Sequence, residues 1–299
     1  MAKHAIMSWF GRPMHQEERE PDPPPPSTEP ILTMEEELPS GPPLAWSSDR
    51  LATTDALWGD GFQFPDGENE TLRLAKPLGL SAASSLLLLG VGGGGPACSV
   101  ATKLGAWVSG FESDPALVAA AIQRIAHRNL TKRAQVETWN PKEPHFREHF
   151  YHHGLALEPL HGSDPERTLT AVARALKPDG QLAMIEVVTG KRLDPANPVV
   201  SAWARLEHRG PDTVPTEAVI TRILKRLRFD VRVTEDISQR HIQQAMVGWR
   251  GAVQSMENAR PGRKEAMRCI QEAELWLLRL RLFRMGSLRL VRWHAIGGG

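Results

Sequence analysis

Glycines at positions 90, 92, 94 and 95 follow the apolar run Leu86-Leu-Leu-Leu89, and a single carboxylate, Glu112, comes twenty-two positions after Gly90. Clustered glycines let backbone amides approach a ligand without side-chain obstruction. A helix starting after them turns its positive end toward that ligand. A carboxylate at the end of the next strand can accept hydrogen bonds from ribose hydroxyls. The constellation suits an adenosine-containing cofactor, and the loop alone leaves two kinds open. Gly90, Gly92 and Gly95 satisfy the dinucleotide pattern G-x-G-x-x-G, with Glu112 where a carboxylate would meet the ribose of NAD, so a nicotinamide-dependent oxidoreductase has to be weighed. Farther along, His161 is a candidate general base for an amine or hydroxyl nucleophile, because imidazole titrates near neutral pH.

These residues need a scaffold that brings them to one rim. Leu86 to Leu89 reads as a buried strand, 106–112 as a second ending on Glu112, and 134–138 as a third with Trp139 and Asn140 just beyond it. A fourth is expected over 149–157, followed by Glu158 to His161, and a fifth over 181–188 after a turn at Lys177-Pro-Asp-Gly180. Helices are expected between them, at about 96–104, from Pro115 with Asp114 as cap, and at 165–176. In the second of these, Val118, Ile122, Ile125 and Ala126 fall on one face. Alternating strands and helices predict an α/β fold with a doubly wound, mainly parallel sheet, whose ligands lie beyond the carboxyl ends of the strands. Later segments predict helices at 202–206 and 215–227, a strand at 229–233, long helices at 238–254 and 264–285, and a last strand at 288–296.

Composition narrows the function classes. Thirty-six basic against thirty-five acidic residues leave a net charge of +1, so no global field draws the chain to nucleic acid. Cys98 and Cys269 are far apart and lack metal-ligand spacing, which argues against a thiolate metal site or a disulfide scaffold and suits a reducing cytoplasm. No apolar segment reaches the roughly 18 to 20 residues of a membrane span, so stable membrane insertion is not expected. Residues 1–43 hold Pro21, Pro23 to Pro26, Pro42 and Pro43 with few apolar residues, and read as a disordered proline-rich tail with a bare match to a protein-docking motif. The remainder, 44–299, divides into short helices and an aromatic lid (44–85), a cofactor-binding core (86–188) and an acceptor-pocket region (189–299). In the lid, Phe62 and Phe64 sit in a glycine-rich loop, either plugging the core or closing over the cofactor.

The wider pattern resembles class I S-adenosylmethionine-dependent methyltransferases. It is carried by Gly90-x-Gly92-x-Gly94, Gly110-Phe-Glu112-Ser113-Asp114 and Leu176-Lys-Pro-Asp-Gly180. Upstream, Trp58-Gly-Asp-Gly61-Phe62-Gln-Phe64-Pro-Asp-Gly67-Glu68 is similar to the segment before the glycine loop in phosphoethanolamine and sarcosine/dimethylglycine methyltransferases. The resemblance runs from about Trp58 to Val188. It implies a Rossmann-like methyltransferase fold with a seven-stranded sheet, S-adenosylmethionine as cofactor and a small-molecule acceptor methylated on N or O, less readily on C. It places Gly90, Gly92 and Gly94 at the methionine part, Glu112 with Ser113 at the ribose, Trp139 and Asn140 at the adenine edge, and His161 where related enzymes often carry a histidine. Three positions depart from the family: Leu88 replaces an acid that helps hold the methionine end, Tyr151 stands where Asp is common, and Val91 replaces a frequent Cys. The first two motivate an alternative, a methyltransferase-like binding or regulatory protein without catalysis.

Overall fold

A computed structural model of the chain describes residues 45–298 except 191 and 259; the tail expected over 1–43 lies outside the described residues. Seven strands form one sheet: β1 (Ser85–Leu89), β2 (Trp107–Glu112), β3 (Ala134–Thr138), β4 (Tyr151–Leu157), β5 (Leu176–Val188), β6 (Phe229–Asp236) and β7 (Arg289–Gly297). Their order is β3-β2-β1-β4-β5-β7-β6. The first five run parallel, and β7 lies antiparallel between β5 and β6. The order reverses between β1 and β4, so the two chain directions separate beyond Leu89 and leave a crevice there, as expected of a doubly wound sheet.

All four leucines of β1 are buried because helices cover both faces of the sheet. Leu86 and Leu88 join one apolar layer, which also takes residues of α1 (Ser48–Trp58), α2 (Gly67–Ala75), α3 (Gly95–Lys103) and α4 (Pro115–His127). Leu87 and Leu89 join the other, with α5 (Pro165–Ala175) and α7 (Glu217–Arg226). Each such burial contributes about 1.5–3 kcal/mol, which fixes the height of β1 and hence of the glycine turn on top of it. Between β6 and β7 the chain inserts α8 (Ser238–Asn258) and α9 (Arg263–Arg284), while α6 (Pro198–Leu206) follows β5. Helix α9 packs against α1 and α6 and forms a wall beside the crevice.

Several elements differ in detail from the sequence reading. The turn at Lys177 to Gly180 is a bulge inside β5: pairing jumps from Tyr151 with Leu176 to His153 with Gln181, and Asp179 takes a φ of 61°. Helix α1 is capped by Ser47, whose hydroxyl accepts from the Arg50 amide. Asp114 caps α4 as anticipated, accepting from Ala116 and Leu117. The buried face of α4 is Leu117, Val118, Ala121 and Ile125, and Ile122 is 50% exposed. Ile122 falls at the edge of the stripe, where a 3.6-residue period turns it off the sheet.

His241 of α8 is buried between Trp276 and Phe283 of α9, with ring centroids 5.7 and 5.4 Å away, and no partner is recorded for its Nε2. Burial, with the charges of Arg279 and Arg240, holds its pKa well below the usual value. The unfolded chain therefore takes up a proton before the folded one does. Stability from neutral His241 is complete above about pH 6.5, the ordinary imidazole value, and is lost as pH falls below it. Thermal melts should show Tm falling between pH 7 and pH 5, with a shallower fall for His241→Phe; equal slopes would contradict this account.

Candidate functional site

Glu112 ends β2 and is buried, and its carboxylate accepts from three backbone amides. Oε2 accepts from Gly92 at 2.9 Å, and Oε1 from Ser113 at 2.7 Å and Asp114 at 3.3 Å. Burial pushes its carboxyl up, and the three amides pull the other way. Oε2 has one recorded donor and an oxygen can accept two, so one acceptor position remains for a ligand hydroxyl. The turn it holds needs glycine. Gly90 and Gly92 have φ of 75° and 57°, and a Cβ on Gly90 would stand 2.1 Å from the Leu157 carbonyl oxygen.

A cavity of about 500 Å³ opens over this turn. It is lined by Gly90, Gly92, Glu112, Ser113, Trp139 and His161 among the predicted residues, and by Phe64, Trp276 and Arg279 among others. Two predicted residues lie outside its lining. Gly94, with φ of 98°, precedes α3, and a Cβ there would come 2.9 Å from Ala121 Cα, so it serves the packing of the loop on α4. Asn140 is exposed and caps its own turn, accepting from the Lys142 amide at 3.0 Å. Trp139 packs against Phe146 with ring centroids 5.7 Å apart and planes tilted by 43°, and its amide donates to the Glu112 carbonyl.

The two aromatics of the upstream loop divide the roles expected of them. Phe62 is buried in the core layer, and Phe64 lines the cavity. The loop is fastened to the glycine turn by the Gly95 amide donating to the Gly61 carbonyl at 3.0 Å. Arg124 of α4 adds a clamp, donating to Asp55 and Asp60 at 2.7 Å each and to the Gly93 carbonyl.

His161 is positioned from below by a buried acid. Glu186 of β5 accepts from the Leu160 amide at 2.8 Å and from Arg209 at 2.9 Å, fixing the loop that carries His161. His161 Nε2 lies 2.8 Å from the Glu207 carbonyl oxygen. A carbonyl only accepts, so Nε2 carries the proton and the neutral ring keeps its lone pair on Nδ1. Burial and then the Arg209 charge lower the His161 pKa, against the pull of the Glu207 carbonyl, which favours the neutral form at pH 7.

Sequence reasoning missed the ion cluster on the far wall. Arg279 of α9 donates to Glu158, and to Glu207 at 2.8 Å. Burial opposes the Arg279 charge, but the two carboxylates outweigh it and raise its pKa. Burial likewise opposes charge on Glu207, and Arg279 with Arg209 holds its carboxyl below the usual range. Arg279 is thus the member of the arginine series 279, 281, 284, 289 and 292 that reaches the cavity, and it arrives already paired. Arg289 pairs with Glu217 and Asp236, and Arg292 with Glu235. The departures from the family lie away from the cavity lining. Leu88 is fully buried in the apolar layer, and Tyr151 is buried at the opposite end of β4.

Comparison with known proteins accords with this geometry. Residues 87–184 match the methyltransferase domain family. A curated protein of Streptomyces halstedii, methyltransferase GfsG, is 29% identical over 142 residues, covering 47% of this chain and 51% of that protein. Phosphoethanolamine N-methyltransferase 2 of Caenorhabditis elegans is 27% identical over 128 residues, covering 42% of this chain and 29% of that enzyme. The chain spans about half the length of the first relative and under a third of the second. Among solved structures, phosphoethanolamine N-methyltransferase 2 of Haemonchus contortus, in complex with phosphomonomethylethanolamine and S-adenosylhomocysteine, shares the fold with a TM-score of 0.73 at 19% identity, covering 85% of this chain and 59% of that one.

Removing the Arg279 charge would leave two carboxylates facing each other in the wall. Arg279→Met should lower unfolding free energy by about 3–5 kcal/mol, measured by urea denaturation, and adding Glu207→Gln should recover part of it. A loss below about 1 kcal/mol, as for an exposed pair, would contradict the assignment.

Proposed function

From the premise that residues 87–184 are a methyltransferase domain, we propose that the chain transfers a methyl group from S-adenosylmethionine to a nitrogen or oxygen, less readily a carbon, of a small molecule. One observation carries this reading: the glycine turn held by Glu112 and a neutral imidazole with its lone pair on Nδ1 open onto the same cavity. When bound, S-adenosylmethionine supplies an electrophilic methyl group on a sulfonium. Gly90 and Gly92 would admit its methionine part, Glu112 with Ser113 would accept the ribose hydroxyls, and Trp139 would lie at the adenine edge. Gly94 and Asn140 would support these contacts indirectly, through loop packing and the turn after β3.

The remaining work belongs to orientation, exclusion of water and one proton. Phe64, Trp276, Leu206 and Leu275 give the cavity apolar walls, which favour direct displacement over competing hydrolysis. His161 Nδ1 would accept the proton released by an amine or hydroxyl as it gains the methyl group. Arg279, already neutralised by Glu158 and Glu207, shapes the wall and offers no unbalanced charge for an anionic substrate.

A non-catalytic binding protein is the second reading, and it rested on Leu88 and Tyr151. Their distance from the cavity lining weakens it, since neither side chain faces the space where chemistry would occur. A nicotinamide enzyme would use the same loop and is separated by titration. Calorimetry should give micromolar binding of S-adenosylhomocysteine, lost or weakened at least tenfold by Glu112→Ala, and none of NAD; binding of NAD alone would refute the proposal.

With an acceptor found by screening, His161→Gln should lower kcat about a hundredfold or more. In the parent the rate should climb with pH and level off below about pH 6.5, because the His161 pKa is depressed. A pH-independent rate together with an unaffected variant would remove His161 from the mechanism.

A further inference from the structure

Among the described residues of the cavity wall, Gln63 has a side-chain amide buried with neither its oxygen nor its nitrogen hydrogen-bonded. Its stem lies directly over the glycine turn. A Cβ on Gly92 would come 2.7 Å from Gln63 Cγ, and one on Gly93 would come 3.2 Å from Gln63 Nε2. A side chain at position 92 would displace the Gln63 stem, and one at 93 would crowd its amide. The chain leading into Gln63 is fixed by Phe62, buried in the core, and by the Gly61 amide donating to Asp55 Oδ1 at 2.7 Å. An amide placed this firmly and left unpaired is an unmet demand for a donor and an acceptor at one point of the cofactor cradle.

We propose that the Gln63 side chain binds the aminocarboxylate end of the cofactor and takes over the task of the acid that Leu88 replaces, an inference that rests on the methyltransferase reading above. A methionine end is a zwitterion, with an ammonium that donates and a carboxylate that accepts. A primary amide meets both, its oxygen accepting from the ammonium and its nitrogen donating to the carboxylate. A lone carboxylate meets only the first. Leu88 is fully buried in the apolar layer, and nothing there could receive the ammonium. Gln63 reaches the same turn from the segment just before α2 rather than from β1. The compensation was not visible in sequence because residues 63 and 92 meet only after the loop folds back onto the glycines.

The test compares two ligands that differ at this end alone, using the full chain and calorimetry: S-adenosylhomocysteine, and 5′-methylthioadenosine, which lacks the aminocarboxylate. Gln63→Leu should weaken S-adenosylhomocysteine at least tenfold and change 5′-methylthioadenosine less than twofold. Unchanged binding of both, or equal weakening of both, would overturn the assignment, the latter because it marks a merely structural role. Gln63→Met, closer in shape, should give the same contrast as a smaller S-adenosylhomocysteine-induced rise in Tm with an undiminished rise from 5′-methylthioadenosine, so poor folding of one variant does not decide the matter. If the parent chain binds both ligands and only the Gln63 contrast is missing, the methyltransferase reading stands and this inference falls. If the parent binds neither, both fall together.

Discussion

The carboxylate of Glu112 is the constraint on which the site depends. It joins the ends of two strands by holding amides from the turns after each, Gly92 beyond β1 and Ser113 with Asp114 beyond β2. An isolated glycine turn would sample many conformations, because glycine loses more freedom on ordering than any other residue. Here the buried acid fixes it, and the glycines are needed for the positive φ values and close approaches this requires. The same carboxylate lines the cavity, so the group that builds the cradle is also presented to whatever enters it.

The opposite wall uses charge differently. Glu186 with Arg209 lies fully buried beneath the loop of His161, and Glu158, Arg279 and Glu207 form a chain of alternating sign along α9 and the β4 and α6 ends. Buried pairs of this kind contribute little net stability over apolar packing, but breaking one is costly. Their effect is to fix position: Glu186 holds Leu160, the Glu207 carbonyl orients His161, and Arg279 keeps α9 against the cavity. One side of the site is thus organised by backbone amides around a carboxylate, and the other by side-chain ions around a histidine.

Much of the fold was legible because it is written locally. The leucine run, the glycines, the Asp114 cap and the alternation of strand with helix each depend on residues a few positions apart, and each lies where the local chemistry placed it. The bulge in β5 was read as a turn because Pro178 and Gly180 break local pairing, whereas the neighbouring strand restores it. Of the site, Glu112, Gly90, Gly92, Trp139 and His161 could be placed on one rim from topology alone. Gln63 and the Arg279 cluster could not, since their meaning comes from contacts across 29, 72 and 121 positions of chain. Leu88 looked like a lost function at the level of sequence, and becomes ordinary core packing once its burial is known.

The central claim is that the turn fastened by Glu112 is the cofactor cradle, and amide hydrogen exchange reads it directly. Without ligand, the Gly92 amide should already exchange slowly because Glu112 holds it. With S-adenosylhomocysteine, protection should rise across residues 61–64, 90–95 and 112–115 and leave residues 216–225 unchanged. Fast exchange at Gly92 in the free chain, or added protection that avoids the glycine turn, would contradict the account.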